Sequence, residues 1–256
     1  MLRYGDFKFD VEECNNSKLI LGGSSDVMNV WRANFAPSVS VGNCSNLYRL
    51  LKPSSASDFF EKYIDYAEKN KDKRIYDRGL TFNELVDLAE RFKEESERYS
   101  GENHDLRVYL NNALCHIIVE TWDGQQMERD FINYLKSLGY ECDKFDGHID
   151  AKYGVDIRCS KDGKKPIAIQ IKPISFFYSK REDVKKDRIG LYLKHLSAKN
   201  DLGIETFYAI YKKDGDVVKW IKNGDGFRFR LTDLFDVVDG EPIVKILPKE
   251  TELLPM

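Results

Sequence analysis

Two short stretches of this 256-residue sequence place side chains where a metal-assisted hydrolysis of a phosphate ester could be run: Gly154-Val155-Asp156-Ile157 and Ile169-Gln170-Ile171-Lys172. In Pro166 to Lys172 the alternation is nearly strict. Ile167, Ile169 and Ile171 face one side of a strand, and Ala168, Gln170 and Lys172 face the other. Val155 and Ile157 flank Asp156 in the same manner. Between the two stretches lies Ser160 to Lys165, whose Asp162-Gly163 is a strong hairpin signal. Register is fixed by the shared apolar face, because a slip of one residue would bury Lys172 and expose the isoleucines. An odd-numbered loop around Gly163 then sets Asp156 directly opposite Gln170. A carboxylate, a side-chain carbonyl and the backbone carbonyl of Ile171 make a set of hard oxygen donors. They suit Mg²⁺, which prefers octahedral oxygen coordination and keeps several waters. Such an ion lowers the pKa of a bound water and neutralises charge on a phosphodiester under attack. Lys172 would orient the attacking water and offset the developing negative charge.

These residues need a sheet edge and helices to hold it. Residues 1 to about 55 are rich in Ser, Asn and Gly, with Trp31, Phe35 and Tyr48 as isolated bulky side chains, and read as irregular. From Ser57 the pattern turns helical, with Phe60, Tyr63, Ile64 and Ala67 on one face. Thr81-Phe82-Asn83-Glu84 has the form of a capping box ahead of the stripe Phe82, Leu85, Leu88, Ala89 and Phe92. A third helix carries Leu106, Leu110, Ala113, Leu114 and Ile117. A fourth, after Gly124, carries Met127, Phe131, Leu135 and Leu138 and ends at Gly139. Strands are then expected at 153–159 and 166–172, a helix at about 183–198, and strands at 205–211, 217–222, 227–231 and 243–247. The fold class is α/β or α+β, a mixed central sheet flanked by helices behind a mainly helical N-terminal half.

The Asp156 hairpin resembles the PD-(D/E)xK nuclease superfamily. The matching elements are Gly154 to Ile157, the short turn, and Ile169 to Lys172, and they sit in a stretch of roughly residues 121 to 212. Such nucleases often carry a Glu on the upstream helix. Glu128 shares a face with Ile132 and Leu135 and matches that position. Gln170 to Phe176 is similar to the Gln-containing version found in type II restriction endonucleases of the MjaI type. The sequence departs from the pattern twice: Gln170 is neutral where Asp or Glu is commoner, and Val155 stands where the family name has Pro. The resemblance implies a restriction-endonuclease-like fold and Mg²⁺-dependent cleavage of double-stranded DNA at a short palindromic site by a homodimer. Asp156, Gln170, Lys172 and Glu128 would be catalytic, and Asp156, Gln170, Ile171 and Glu128 would hold the metal. Asp150 is the alternative acid, with Asp143 and Asp146 in the loop or edge strand before the hairpin. The division implied is an irregular and helical region, 1–104, serving specificity or dimerisation, and a nuclease core, 105–256. A repair or junction-resolving nuclease, or a non-catalytic DNA-binding protein of the same fold, are the alternatives.

Charge distribution agrees with a polyanionic partner although the bulk charge does not. The chain carries a formal net charge of -3, yet residues 158 to 199 hold nine Lys and three Arg against three Asp and one Glu. That stretch is +8 and the remainder -11. Lys164, Lys165, Lys180, Arg181, Lys185, Lys186 and Arg188 are the candidate phosphate contacts. Trp31-Arg32-Ala33-Asn34 is a possible source of base-reading side chains. No apolar stretch approaches the roughly 20 residues that span a bilayer, and the N-terminus lacks a signal-peptide core. Five scattered cysteines without a Cys-x-x-Cys argue against a disulfide framework or thiolate zinc site and for a reducing cytoplasm. Four histidines form no i, i+4 pair for a metal, and no nucleophile elbow or phosphate-binding glycine loop is present.

Overall fold

The structure is a computed structural model that describes residues 3–22, 25–101, 103–144, 149, 152–180, 182–214, 217–223, 226–238, 241–245 and 253–254. It divides into two compact units, Met1–Gln126 and Met127–Met256.

The first unit is helical: α1 (Val11–Gly22), α2 (Ser25–Asn34), α3 (Ser38–Val41), α4 (Cys44–Leu51), α5 (Ala56–Lys69), α6 (Ile75–Arg78), α7 (Phe82–Ser100) and α8 (Leu106–Leu114). A π-helical turn, Cys115–Val119, leads into α9 (Glu120–Ser137), in which the two units divide. The α7 start follows the sequence expectation. Thr81 accepts from the Glu84 backbone amide, and the Glu84 carboxylate takes the Thr81 amide at 2.8 Å. Arg78 adds two hydrogen bonds to the same carboxylate, at 2.7 and 2.8 Å, and these hold its pKa down to about 2. Every residue of the expected α5 and α7 stripes is buried.

Three expectations for this half are corrected. The segment read as irregular, 1 to about 55, forms four helices; Cys14, Leu21, Val27 and Trp31 are buried in one core with α7 and α8. Its Ser and Asn residues hid the pattern, since α1 takes its helical state from packing on α8 rather than from an amphipathic stripe. Gly124 does not separate two helices: helical structure runs from Leu106 to Ser137, with Gly124 inside it. Nor does the division fall at 104/105. The α8 side chains Tyr109, Leu110, Ala113 and Leu114 lie in the first unit's core, which carries that unit on to Gln126.

The second unit is α+β. Its sheet runs β1 (Glu141–Lys144), β2 (Ile157–Ser160), β3 (Ile167–Pro173), β4 (Glu205–Asp214), β5 (Val217–Ile221) and β9 (Leu253–Leu254), with β6 (Phe229–Arg230) also on β4. Only β3–β4 is parallel among the described pairs, and the chain crosses between them through α10 (Ile174–Tyr178) and α11 (Glu182–Leu202). After α12 (Leu231–Leu234), β7 (Phe235–Val238) and β8 (Glu241–Val244) form a separate hairpin. Both faces of the sheet are covered. Ile167, Ile169, Ile171 and Ile157 pack with Met127, Phe131 and Leu135 of α9, whereas Ala168 packs with Val155 and with Ala198 of α11. Ala168 and Gln170 are therefore buried, where the alternation alone gave them to a polar face. Val155 is likewise on the α11 side, opposite Ile157, because Gly154 adopts φ +62 and β2 begins only at Ile157. Leu138, expected in the α9 stripe, lies past the helix end and is exposed.

Cys142 and Cys159 stand opposite each other in the β1–β2 ladder, Cα atoms 4.2 Å apart, and are disulfide-bonded. This corrects the reading of the cysteines as unpaired. A separation of 17 residues concealed a cross-strand neighbour, so the cysteines no longer argue for a reducing compartment. Among the described residues no helix is long and apolar enough to cross a membrane.

Candidate active site

The hairpin delivers the expected juxtaposition. Ile157 pairs with Ile169, and the Asp156 amide donates to the Ile169 carbonyl at 2.9 Å, so the register carries Asp156 opposite Gln170. Gly163 turns the loop with φ +71. One Asp156 oxygen, Oδ2, accepts from Gln170 Nε2 at 2.5 Å and from the Ile171 amide at 2.7 Å. The same Nε2 lies 3.5 Å from the Ile171 carbonyl oxygen. An amide donor thus stands between a carboxylate oxygen and a carbonyl oxygen. A cation would satisfy the same two acceptors, and turning the amide by half a rotation would bring its carbonyl oxygen to them. With one carboxylate and neutral oxygens, the donor set fits a hard divalent ion that retains waters.

Lys172 follows on the same side of β3, half-buried, its Nζ 5.5 Å from the Phe176 ring centroid. Glu128 is not brought to this group. It sits on α9, whose apolar residues cover the isoleucine face, while Gln170 and Lys172 alternate to the α11 face. Its carboxylate pairs with Lys144 at 2.7 Å. The described residues contain no cluster of three His, Cys, Asp or Glu able to hold a metal. Asp143 lies in β1 opposite Arg158. Asp146 and Asp150 lie outside the described residues.

What holds Asp156 in place is a residue that spacing alone did not single out. His195 of α11 is fully buried, and its Nε2 lies 2.7 Å from the carbonyl oxygen of Gly154. Gly154 is packed so closely on α11 that a Cβ there would stand 2.3 Å from Leu191 Cδ1. The turn before Asp156 is thereby clamped to α11. Burial, with a smaller effect from Lys172, holds the His195 pKa down to about 4. The available signal was a histidine in a helical segment, which cannot reveal a partner 41 residues away.

The basic candidates separate. Lys164 and Lys165 are at the turn end of the hairpin, some five strand residues, roughly 15 Å, from Asp156. Lys180 precedes α11, Lys185 pairs with Glu182, and Lys186 is exposed on α11. Arg181 lies outside the described residues. Arg188 is not a phosphate contact: it is buried, and its Nη1 donates to the carbonyls of Phe176, Phe177 and Ser179 at 2.7, 3.1 and 3.0 Å. It ties the end of α10 to α11.

No family model matches the chain, and no curated protein matches it. Among solved structures, the chain is similar to Hjc, a Holliday junction resolvase of Archaeoglobus fulgidus, at 16% identity and a TM-score of 0.31. That match covers 46% of this chain and 82% of the resolvase.

Proposed function

We propose that this chain is a Mg²⁺-dependent endonuclease of double-stranded DNA, and in its finer form a type II restriction enzyme that cuts a short palindromic site as a homodimer. The observation that carries the reading is the convergence of the Asp156 carboxylate, the Gln170 amide and the Ile171 carbonyl at one end of a hairpin, with Lys172 next on the strand. Asp156, Gln170 and Ile171 would hold the ion, which supplies a water of lowered pKa and charge neutralisation at the phosphate. Lys172, two residues past Gln170 on the same strand, would offset negative charge on the attacked phosphodiester and orient the water. His195 and Gly154 fix the turn from which Asp156 projects. The duplex as substrate is supported by the basic stretch that begins at the hairpin and runs along α11. Two-fold symmetry of the protein would match a palindromic site.

The test is incubation of the purified chain with long duplex DNA and with a four-way branched substrate, in Mg²⁺ and in EDTA. Discrete Mg²⁺-dependent fragments from the duplex support the restriction reading. Cutting confined to the branched substrate would replace it with a junction-resolving nuclease, and intact DNA across divalent ions and salt would overturn catalysis.

A further inference from the structure

Adjoining the Asp156 group, and sharing Lys172 with it, the molecule has a second feature. Lys186, Gly190 and Lys194 recur every four residues on one face of α11 and, with Lys172, Asp187 and Phe176, line a cleft of about 290 Å³. Three lysines and one aspartate are among its lining residues. A cleft at the small end of the ligand-site range and this cationic suits a compact anion rather than an apolar molecule. Lysines bind phosphate as mobile point charges.

Gly190 is the unusual member. It lies in the interior of a 21-residue helix, where glycine costs about 1 kcal/mol relative to alanine. Nothing in the packing requires it: a Cβ at Gly190 would meet no atom within 4 Å. Its effect is to leave the cleft floor open between the two lysines, as glycine does where a ligand approaches the backbone closely. The aliphatic stem of Lys194 runs past Gly154, with Cδ 3.5 Å from where a Cβ there would stand, so the cleft adjoins the turn that carries Asp156.

We infer that this cleft seats a backbone phosphate of the DNA strand next to the one attacked, with Lys186 and Lys194 as its charge partners and Gly190 as the opening that admits it. The inference rests on the DNA-cleaving reading for its ligand, and it adds Lys194 and Gly190 to the substrate-binding residues.

The probe is a labelled duplex of about 25 base pairs, bound by the full chain in EDTA and followed by fluorescence anisotropy across a salt series, with helicity and Tm measured in parallel. Gly190→Leu, which fills the floor, should weaken binding about tenfold or more. Lys194→Gln should weaken it uniformly and reduce the slope of log K against log salt by about 1. Gly190→Ala should raise Tm, since helix propensity improves in open space. Wild-type affinity and slope in Lys194→Gln, together with wild-type affinity in folded Gly190→Leu, overturn the inference. If Gly190→Leu does not fold, an unchanged slope in Lys194→Gln overturns it alone. Loss of DNA binding in these variants of a chain that cuts no DNA would leave the cleft standing and remove the endonuclease reading. Cleavage by the wild type with unaffected binding in both variants would remove the cleft alone.

Discussion

His195 Nε2 lies 2.7 Å from the carbonyl oxygen of Gly154, so a side chain of α11 holds the backbone two residues ahead of Asp156. A carbonyl oxygen only accepts, which makes Nε2–H the donor and leaves Nδ1 with no hydrogen-bond partner among the described residues. The hydrogen bond suits either protonation state, but burial and the unpartnered Nδ1 favour the neutral imidazole, since a proton on Nδ1 would be an unsatisfied buried donor. Its folded pKa, about 4, lies below the ordinary value of 6.5. The unfolded chain therefore binds the proton first, and stability from this group is complete above pH 6.5 and lost as pH falls toward 4. Wild type should lose about 2 kcal/mol between pH 7.5 and 5 by this route. His195→Gln, which keeps an N–H donor but does not titrate, should lose correspondingly less over that interval. Urea melts of both proteins at the two pH values check it, and parallel losses would show that His195 does not titrate as argued.

Gln170→Glu tests the cation set without deleting a ligand. The new carboxylate would stand where Nε2 now donates to Asp156 at 2.5 Å, so two like charges replace a hydrogen bond. In EDTA at pH 7 the variant should be less stable than wild type by roughly 1–3 kcal/mol. Saturating Mg²⁺ should recover that loss and raise Tm by more than it does in wild type. Tm measured with EDTA and over a Mg²⁺ titration decides it; a variant indifferent to Mg²⁺ would place the ion elsewhere.

How much of this was legible beforehand follows from the range of each interaction. The Asp156–Gln170 opposition depends on a short turn and on alternation, both local, and the sequence contains both. The α5 and α7 stripes and the Thr81–Glu84 box are legible for the same reason. The burial of Gln170 and Ala168 was not, because α11 covers that face from some thirty residues downstream. The disulfide, the Gly154–His195 clamp and the Glu128–Lys144 pair are likewise contacts between elements. In the segment read as irregular, α1 packs on α8 and α2 on α7, contacts between elements that a Ser- and Asn-rich sequence does not advertise.

Lys172→Ala should remove cleavage by at least about 10²-fold while leaving DNA affinity within a few-fold of wild type. Lys172 is one of three lysines that line the α11 cleft, so one charge is lost from binding, whereas the proposed reaction loses the lysine assigned to the attacked phosphate. Single-turnover cleavage and anisotropy on the same duplex separate the two effects. Near-normal cleavage would show that the reacting phosphate lies elsewhere.

Arg188 and Lys186 are two residues apart in a run of basic side chains, yet they should behave as different kinds of residue. Arg188 Nη1 reaches three backbone carbonyls that have passed the end of α10 or close it, and the side chain is buried. Burial lowers its pKa, but the group remains a cation, so its removal leaves those carbonyls unsatisfied rather than relieving a charge. Arg188→Ala should therefore cost about 2–3 kcal/mol of stability, and Arg188→Lys, which lacks the forked donors, should recover only part of it. Neither should change the salt slope of DNA binding in the folded protein, because no phosphate contact is lost. Lys186→Ala should do the reverse: stability within about 0.5 kcal/mol of wild type, and a salt slope reduced by about 1. Denaturant melts and salt-dependent anisotropy on the same preparations measure both quantities. A reduced slope in folded Arg188→Lys would return Arg188 to the phosphate contacts and contradict its placement here.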